Sequence, residues 1–314
     1  MPEGHTIHRL ARDLTPLLVD RSIEVSSPQG RFAADASLVD GCVLERIEAY
    51  GKHLWFWWAN GLVGHVHLGL FGKFRISDDG PSTLGEVRMR LRSGATTVDL
   101  SGPTACSIGP PEERDAIVAR LGPDPLRRDG RGDDAVARLA RRATPIGALL
   151  MDQSVIAGIG NVYRAEVLFV HAINPARPAK ACTADELHGV WTTIRGMLRK
   201  GVRDNRIVTI DRRLLPRDRR LRRGDATFVY HRDRCLRCAT PIQTVRLAAR
   251  PCYFCPSCQP GCAASQAWRE AAANDSTVSW AFSPLGLGST QVGTPPRRSG
   301  CSPALADGLA KPRR

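Results

Sequence analysis

The sequence predicts an α+β multidomain protein: an N-terminal β-sandwich with a leading helix, a helical domain built around a helix-two-turn-helix, and a C-terminal cysteine-rich ribbon. Three observations predict it. Short apolar runs separated by Gly, Ser and Asp recur from about residue 22 to residue 115. After a Pro/Asp/Arg-rich stretch at 122–134 the apolar period turns helical. Paired cysteines then cluster between 235 and 258. The expected divisions are 1–121 for the sandwich, 122–134 for a linker, 135–228 for the helical domain, 229–260 for the ribbon and 261–314 for a disordered tail.

The leading helix is read over 3–18, where Ile7, Leu10, Leu14 and Leu17 fall on one face. Pro16 is expected to end or kink it. The strand candidates are 23–25, 42–47, 53–58, 62–68, 73–76, 87–91 and 97–100. Beyond the linker, 135–142 is one helix candidate. Thr144-Pro145 opens another over 145–152, as a cap followed by a first-turn proline. Thr183 and Glu186 form a capping box ahead of Leu187, Val190, Trp191, Ile194 and Leu198. An arginine-dense segment at 212–223 has no apolar face to pack, and no internal repeat is present.

Composition bounds the function. The 314-residue chain carries a formal net charge of +14, which points to a polyanionic partner, nucleic acid before an anionic membrane surface. No apolar run reaches the roughly 18 residues that cross a bilayer. The N-terminus, with Glu3, His5 and Arg9, lacks a signal-peptide core, so a cytosolic location is the expectation. Nothing signals oligomerisation, and a monomer is expected. Ten cysteines in a cytosolic chain read as metal ligands or isolated thiols rather than disulfides.

Cys235 and Cys238 form one C-x2-C pair and Cys255 and Cys258 a second, with sixteen residues between them. Each pair makes a tight knuckle, and a β-hairpin in the spacer returns the second pair to the first. Four thiolates complete a tetrahedral Zn²⁺ shell with no open position, so the site reads as structural, one zinc per chain. Cys252 and Cys262 lie close enough to compete, but neither completes a pair; Cys42, Cys106, Cys182 and Cys301 read as isolated thiols. Arg246 and Arg250 fall in the hairpin, either as solvated charges or at a turn that reaches phosphate.

Two further stretches carry chemistry or merely structure. Met1-Pro2 permits removal of the initiator methionine, which leaves a secondary amine on Pro2; with a pKa near 8, about a tenth of it is neutral at pH 7. Taken alone, Pro2 is a helix-start residue. Gly158-Ile159-Gly160-Asn161 lies between two helix candidates, and with Asn161 as cap it makes either a phosphate site or a plain connection.

Taken together, Pro2-Glu3-Gly4, Gly51-Lys52, His67-Leu68-Gly69-Leu70, Gly158-Ile159-Gly160-Asn161 and the C-x2-C-x16-C-x2-C ribbon resemble, in order over residues 1–260, the formamidopyrimidine-DNA glycosylase and endonuclease VIII family. The opening Pro2-Glu3-Gly4-His5-Thr6-Ile7-His8 looks most like its actinobacterial endonuclease VIII branch. The resemblance implies a bifunctional glycosylase and abasic-site lyase in base excision repair, acting on damaged DNA as duplex or bubble. In it, Pro2 forms a Schiff base at C1′ and β,δ-elimination follows. Glu3 is the general acid/base, and Lys52 binds phosphate and assists the lyase step. Asn161, Arg250 and His67 contact the backbone, while Leu70 and Phe71 fill the gap left by the extruded nucleotide. Two departures stand out: His5-Thr6 replaces the frequent Pro-Glu, and no Arg-x-Phe wedge stands near 103–112. Both favour oxidised pyrimidines over 8-oxoguanine. The alternative is a non-catalytic zinc-ribbon nucleic-acid-binding or damage-recognition protein, which leaves Pro2, Glu3 and Lys52 as coincidences.

Overall fold

The computed structural model describes residues 2–78, 86–210 and 226–261. The arginine-dense stretch at 212–223, Cys262, Cys301 and nearly all of the expected tail lie outside the described residues.

Helix α1 (Gly4–Leu18) buries Ile7, Leu14 and Leu18 along one face. Pro16 lies inside it rather than ending it. Only two residues follow Pro16, so the amide it lacks is missing from the last turn alone, and the Val19 amide still reaches the Thr15 carbonyl at 3.0 Å.

Two antiparallel sheets follow. The first orders β1 (Arg21–Ser22), β3 (Val43–Tyr50), β4 (His53–Trp58), β5 (Val63–His67) and β9 (Ala105–Gly109); the second orders β2 (Glu24–Ser26), β7 (Val87–Ser93), β8 (Thr96–Ser101) and β6 (Lys73–Ser77). Strand alternation aims Leu54, Phe56, Trp58 and Val66 of the first sheet at Val25, Met89, Leu91, Val98 and Leu100 of the second, and the buried face of α1 joins that core. The sandwich expected from the short runs is therefore present.

Several of its elements were not legible. The short helix α2 (Ala33–Ser37), strand β9 and helix α3 (Pro111–Ala119) lie where the sequence shows no clear period. Helix α3 buries no residue, so only its first-turn proline and Glu112–Glu113 marked it.

In the helical part, α4 (Gly132–Ala140) begins inside the expected linker. Its first turn carries Asp133 and Asp134 at the positive end of the helix dipole. The helix expected over 145–152 shrinks to the single turn α5 (Ile146–Leu149), with Pro145 as its cap. Beyond it the amides of Met151 and Asp152 close tight three-residue turns onto Ala148 and Leu149 instead of continuing the helix. Helices α6 (Asn161–Val170) and α7 (Ala184–Asp204) complete the core with Leu187, Val190, Trp191, Ile194 and Leu198. The capping box is formed: the Glu186 amide donates to Thr183 Oγ1 at 3.2 Å, and the Thr183 amide donates to Glu186 Oε2 at 2.7 Å.

The ribbon hairpin, β10 (Gln243–Leu247) and β11 (Arg250–Phe254), turns through Ala248 and Ala249, both left-handed at φ 51° and 58°. Such a turn matches the twist of the strands and places Arg250 at its tip. Helix α6 anchors the ribbon. Buried Glu166 accepts the amides of Phe228, Val229 and Tyr230 at 2.6, 2.9 and 3.0 Å. Just beyond α6, buried Asn174 donates to the Gln259 carbonyl and buried Gln259 donates to the Ile173 carbonyl, each at 2.8 Å. No helix among the described residues is long and apolar enough to cross a membrane.

Candidate active site

Three chain segments converge on Glu3. Gly4 donates its amide to the Gly158 carbonyl at 2.8 Å, and a Cβ on Gly4 would sit 2.9 Å from the Gly158 backbone. Gly51, left-handed at φ 58°, packs against Ala157 and Gly158. Glycine is required at this crossing because backbone meets backbone. The glycine-containing connection between the two helix candidates is thus the floor on which the N-terminus lies.

Glu3 is 1% exposed. Its Oε2 accepts the Gly160 amide at 3.1 Å and its Oε1 accepts the Val162 amide at 3.0 Å. The carboxylate therefore occupies the first-turn amides of α6, where an anion is favoured by the helix dipole. This corrects two expectations: Gly160, not Asn161, caps α6, and these two amides hold Glu3 rather than standing open to a phosphate. Burial pushes the Glu3 carboxyl above its ordinary range, opposed by the Lys52 ammonium and by the amides of α6.

Lys52, in the β3–β4 turn, donates from Nζ to the Ile159 carbonyl at 2.5 Å. Burial brings it down to about 8; Glu3 opposes this, and Arg250 and Arg164 add to it. The turn that presents Lys52 is held by Asp124, which the sequence placed in a linker. Asp124 is 1% exposed; its Oδ2 accepts both the Gly51 amide and His8 Nε2 at 2.7 Å, and its Oδ1 accepts the Leu126 amide at 2.8 Å. Gln153 completes the floor, donating to the Ile159 carbonyl at 3.1 Å and accepting the Gly158 amide at 3.0 Å. Neither residue carried a signal, because a lone carboxylate or amide in a polar stretch has no period.

Pro2, half-buried, is adjacent to Glu3 in this notch. Asn161 is buried, with Nδ2 donating to the Pro251 carbonyl at 3.0 Å and Oδ1 accepting from Arg164. Arg164 is fully buried and also donates to the carbonyls of Gly147, Leu247 and Pro251 at 3.1, 3.0 and 3.1 Å. Together they bind the hairpin tip, and hence Arg250, to the first turn of α6. Arg246, on the same hairpin, is exposed. His67 ends β5, packed beside His53. Leu70 and Phe71, in the β5–β6 turn, are 48% and 84% exposed.

The four ribbon cysteines meet. Their sulfurs lie within 4.8 Å of one another, with Cys238 Sγ 3.4 Å from Cys255 Sγ and 3.5 Å from Cys258 Sγ, and Cys235 Sγ 3.9 Å from Cys258 Sγ. Zinc–thiolate bonds of about 2.3 Å at tetrahedral angles put sulfurs about 3.8 Å apart, so the cluster fits one structural Zn²⁺. Cys252 is buried under the hairpin, outside this cluster.

Comparison with known proteins agrees with this architecture. The formamidopyrimidine-DNA glycosylase N-terminal domain matches residues 1–102, the formamidopyrimidine-DNA glycosylase H2TH domain matches 121–212, and the zinc finger found in FPG and IleRS matches 232–261. The chain is 45% identical over 274 residues to "Endonuclease 8 1" of Mycobacterium tuberculosis, covering 82% of this chain and all of that protein. It is 33% identical over 291 residues to a formamidopyrimidine-DNA glycosylase of Symbiobacterium thermophilum, covering 83% and 90%. Among solved structures, the MutM (FPG) protein of Thermus thermophilus superimposes with a TM-score of 0.67 at 27% identity, over 82% of this chain and 98% of that one. The Lactococcus lactis Fpg, solved with DNA containing an abasic site, shares the fold at a TM-score of 0.69 and 19% identity, over 82% and 100%. With three matched domains in order around a buried Glu3–Lys52 notch and a four-cysteine ribbon, the chain belongs to the formamidopyrimidine-DNA glycosylase and endonuclease VIII family.

Proposed function

We propose that this protein is a bifunctional DNA glycosylase and abasic-site lyase of base excision repair, with the amine of Pro2, freed by removal of Met1, as its nucleophile. The observation that carries the reading is the placement of Glu3. A carboxylate next to Pro2 is buried, raised by desolvation and held by the α6 amides beside Lys52. Burial that raises the carboxyl favours its protonated form, so Glu3 is suited to hand over and take back a proton beside the reacting sugar. The neutral amine of Pro2 attacks C1′ of the extruded nucleotide and the base leaves, with Glu3 donating to the sugar ring oxygen. The resulting iminium loses the two flanking phosphates by β- and δ-elimination. Lys52 supplies a cation at the phosphate, and Arg250, at a hairpin tip fixed by Asn161 and Arg164, supplies a second.

Oxidised pyrimidines are the substrate class this reading favours. Where a pocket carboxylate is frequent in the family, Thr6 instead spends its hydroxyl on the start of α1, accepting the Glu3 amide at 3.4 Å, and His5 packs edge-on to Tyr163. Neither supplies a negative charge to a purine edge.

Borohydride trapping on a duplex with one abasic site tests the proposal, using zinc-loaded protein whose processed N-terminus is confirmed by mass spectrometry. A covalent adduct is expected with wild type and none with Pro2→Gly. Absence of an adduct from processed wild type sinks the lyase assignment and leaves a non-catalytic DNA-binding protein.

A further inference from the structure

We infer that His53 and His65 are positioning residues for His67, and that the three imidazoles together engage a DNA phosphate with uptake of one proton. This rests on the function proposed above. Its starting point is register. Strands β4 and β5 pair His53 with His67 and Trp55 with His65, so these side chains project from one face of the sheet. Leu54, Phe56 and Val66 project from the other face into the sandwich core.

On that face the rings are ordered. His53 Nδ1 and His65 Nε2 lie 2.9 Å apart, so one ring donates and the other accepts, which requires at least one neutral imidazole. Both rings lie nearly parallel to buried Trp55, at centroid distances of 5.5 and 5.6 Å and interplanar angles of 19° and 20°. His67 leans on His53 at 4.9 Å and 51°. Among the described residues the His67 ring nitrogens have no hydrogen-bond partner. Two rings locked by a hydrogen bond and an indole thus form a wall that fixes the third.

The charges around the wall are cationic. Lys52 precedes His53 in the β3–β4 turn, and Arg120 stands beyond the end of α3. Arg114, over the Trp55 ring at 5.6 Å, is paired with Glu48 and Asp115. The β9 residues opposite, Ala105 and Ser107, are neutral, and Glu113 of α3 packs against Gly109, farther along the strand. Among the described residues no carboxylate reaches these imidazoles as an ion-pair partner. Burial first, then the neighbouring imidazoles and cations, bring His53 to about 3 and His65 to about 4 and lower His67, which favours the neutral rings in the free protein. Three imidazoles with no ion-pair partner among the described residues, beside a lysine whose counter-charge is Glu3, offer their N–H groups to an anion. A phosphate oxygen at His67 accepts its N–H and favours the imidazolium; the second ring nitrogen gains its proton from hydronium or buffer acid, which is left as water or the conjugate base.

The sign follows. Burial and then Lys52 lower His67 in the free protein, and a bound phosphate would raise it, so between the free and bound values binding takes up a proton and affinity falls as pH rises. The limit is tenfold per pH unit for one proton. The experiment is titration of a tetrahydrofuran-containing duplex from pH 5.5 to 8 at fixed salt, with calorimetry in two buffers of different ionisation enthalpy to count protons. Read at about pH 6.5, where Lys52 is already charged in the free protein, wild type is expected to take up close to one proton, His67→Ala almost none, His65→Leu markedly less, and His65→Gln, which can still bond His53, to recover most of it. Zero uptake by wild type, or unchanged uptake in His67→Ala or His65→Leu, overturns the inference. If His65→Leu fails to fold, the wild-type, His67→Ala and His65→Gln measurements still decide. Normal borohydride trapping with no proton uptake removes this inference alone, whereas no trapping removes the reading beneath it.

Discussion

Glu3 Oε2 lies 3.1 Å from the amide of Gly160, so the third residue of the chain closes the first turn of a helix 157 residues away. The contact tolerates no side chain: a Cβ on Gly160 would stand 2.2 Å from Glu3 Cδ. Gly160→Ala is therefore expected to displace the carboxylate while leaving the DNA-facing surface intact. A shift of about 1 Å at a reacting group costs on the order of a hundredfold in rate. Single-turnover base excision should fall by that order, with affinity for a tetrahydrofuran duplex changed less than about threefold. Equal losses of rate and affinity would mean that the glycine shapes the binding surface instead.

The Lys52 ammonium offers a second check, through pH. With its value brought down to about 8, Lys52 is charged below that pH and loses its charge above it. A charged hydrogen bond to phosphate contributes about 1.5–3 kcal/mol, roughly ten- to a hundredfold in affinity. Lys52→Gln should weaken duplex binding by that factor at pH 7, and the gap from wild type should narrow as pH rises through 8 toward 10. A gap constant over that range would show that Lys52 contributes by packing rather than by charge.

Zinc should prove separable from Cys252. Cys255 is one of the four clustered ligands, whereas Cys252 is buried beneath the hairpin with Val245, Leu247 and Phe254. Metal analysis of purified protein should give one zinc for wild type and for Cys252→Ser, and little for Cys255→Ser. Structural zinc contributes on the order of 10 kcal/mol to the folding of small zinc modules. The Cys255→Ser ribbon should therefore lose its fold and, with it, Arg250-dependent DNA binding, while the sandwich retains its near-ultraviolet signal. Full zinc in Cys255→Ser would reassign the ligand set.

How much of this was legible follows from what each feature repeats. The ribbon spacing, the α7 capping box and the short apolar run of 53–58 each follow a local rule, and the sequence displayed them. Asp124, Arg164 and Glu166 bond across tens of residues to backbone amides and carbonyls, which no local pattern encodes. The first turn of α6 shows the limit most directly. Gly158 to Asn161 reads as an open anion site until Glu3, from the far end of the chain, fills it. Helix α3 stayed hidden because it buries no residue and so needs no apolar stripe.

Phe71 gives the last test, because its exposure has no structural reason. The β5–β6 turn is pinned by glycines: a Cβ on Gly69 would meet Thr104 Oγ1 at 1.8 Å, and one on Gly72 would meet the Leu68 carbonyl at 2.3 Å. The Gly72 amide closes the turn onto the Leu68 carbonyl at 2.9 Å, yet the turn holds a phenyl ring 84% in solvent. Removing an exposed side chain changes stability by about 0.5 kcal/mol or less, so Phe71→Ala should melt like wild type. If the ring fills the space left by an extruded nucleotide, it offsets part of the few kcal/mol of unstacking. Excision from duplex DNA should then drop about tenfold, while excision from a single strand, which has no stack to refill, should barely change. A parallel drop on both substrates would assign Phe71 to general DNA contact, and no drop on either would leave Leu70 as the residue to test.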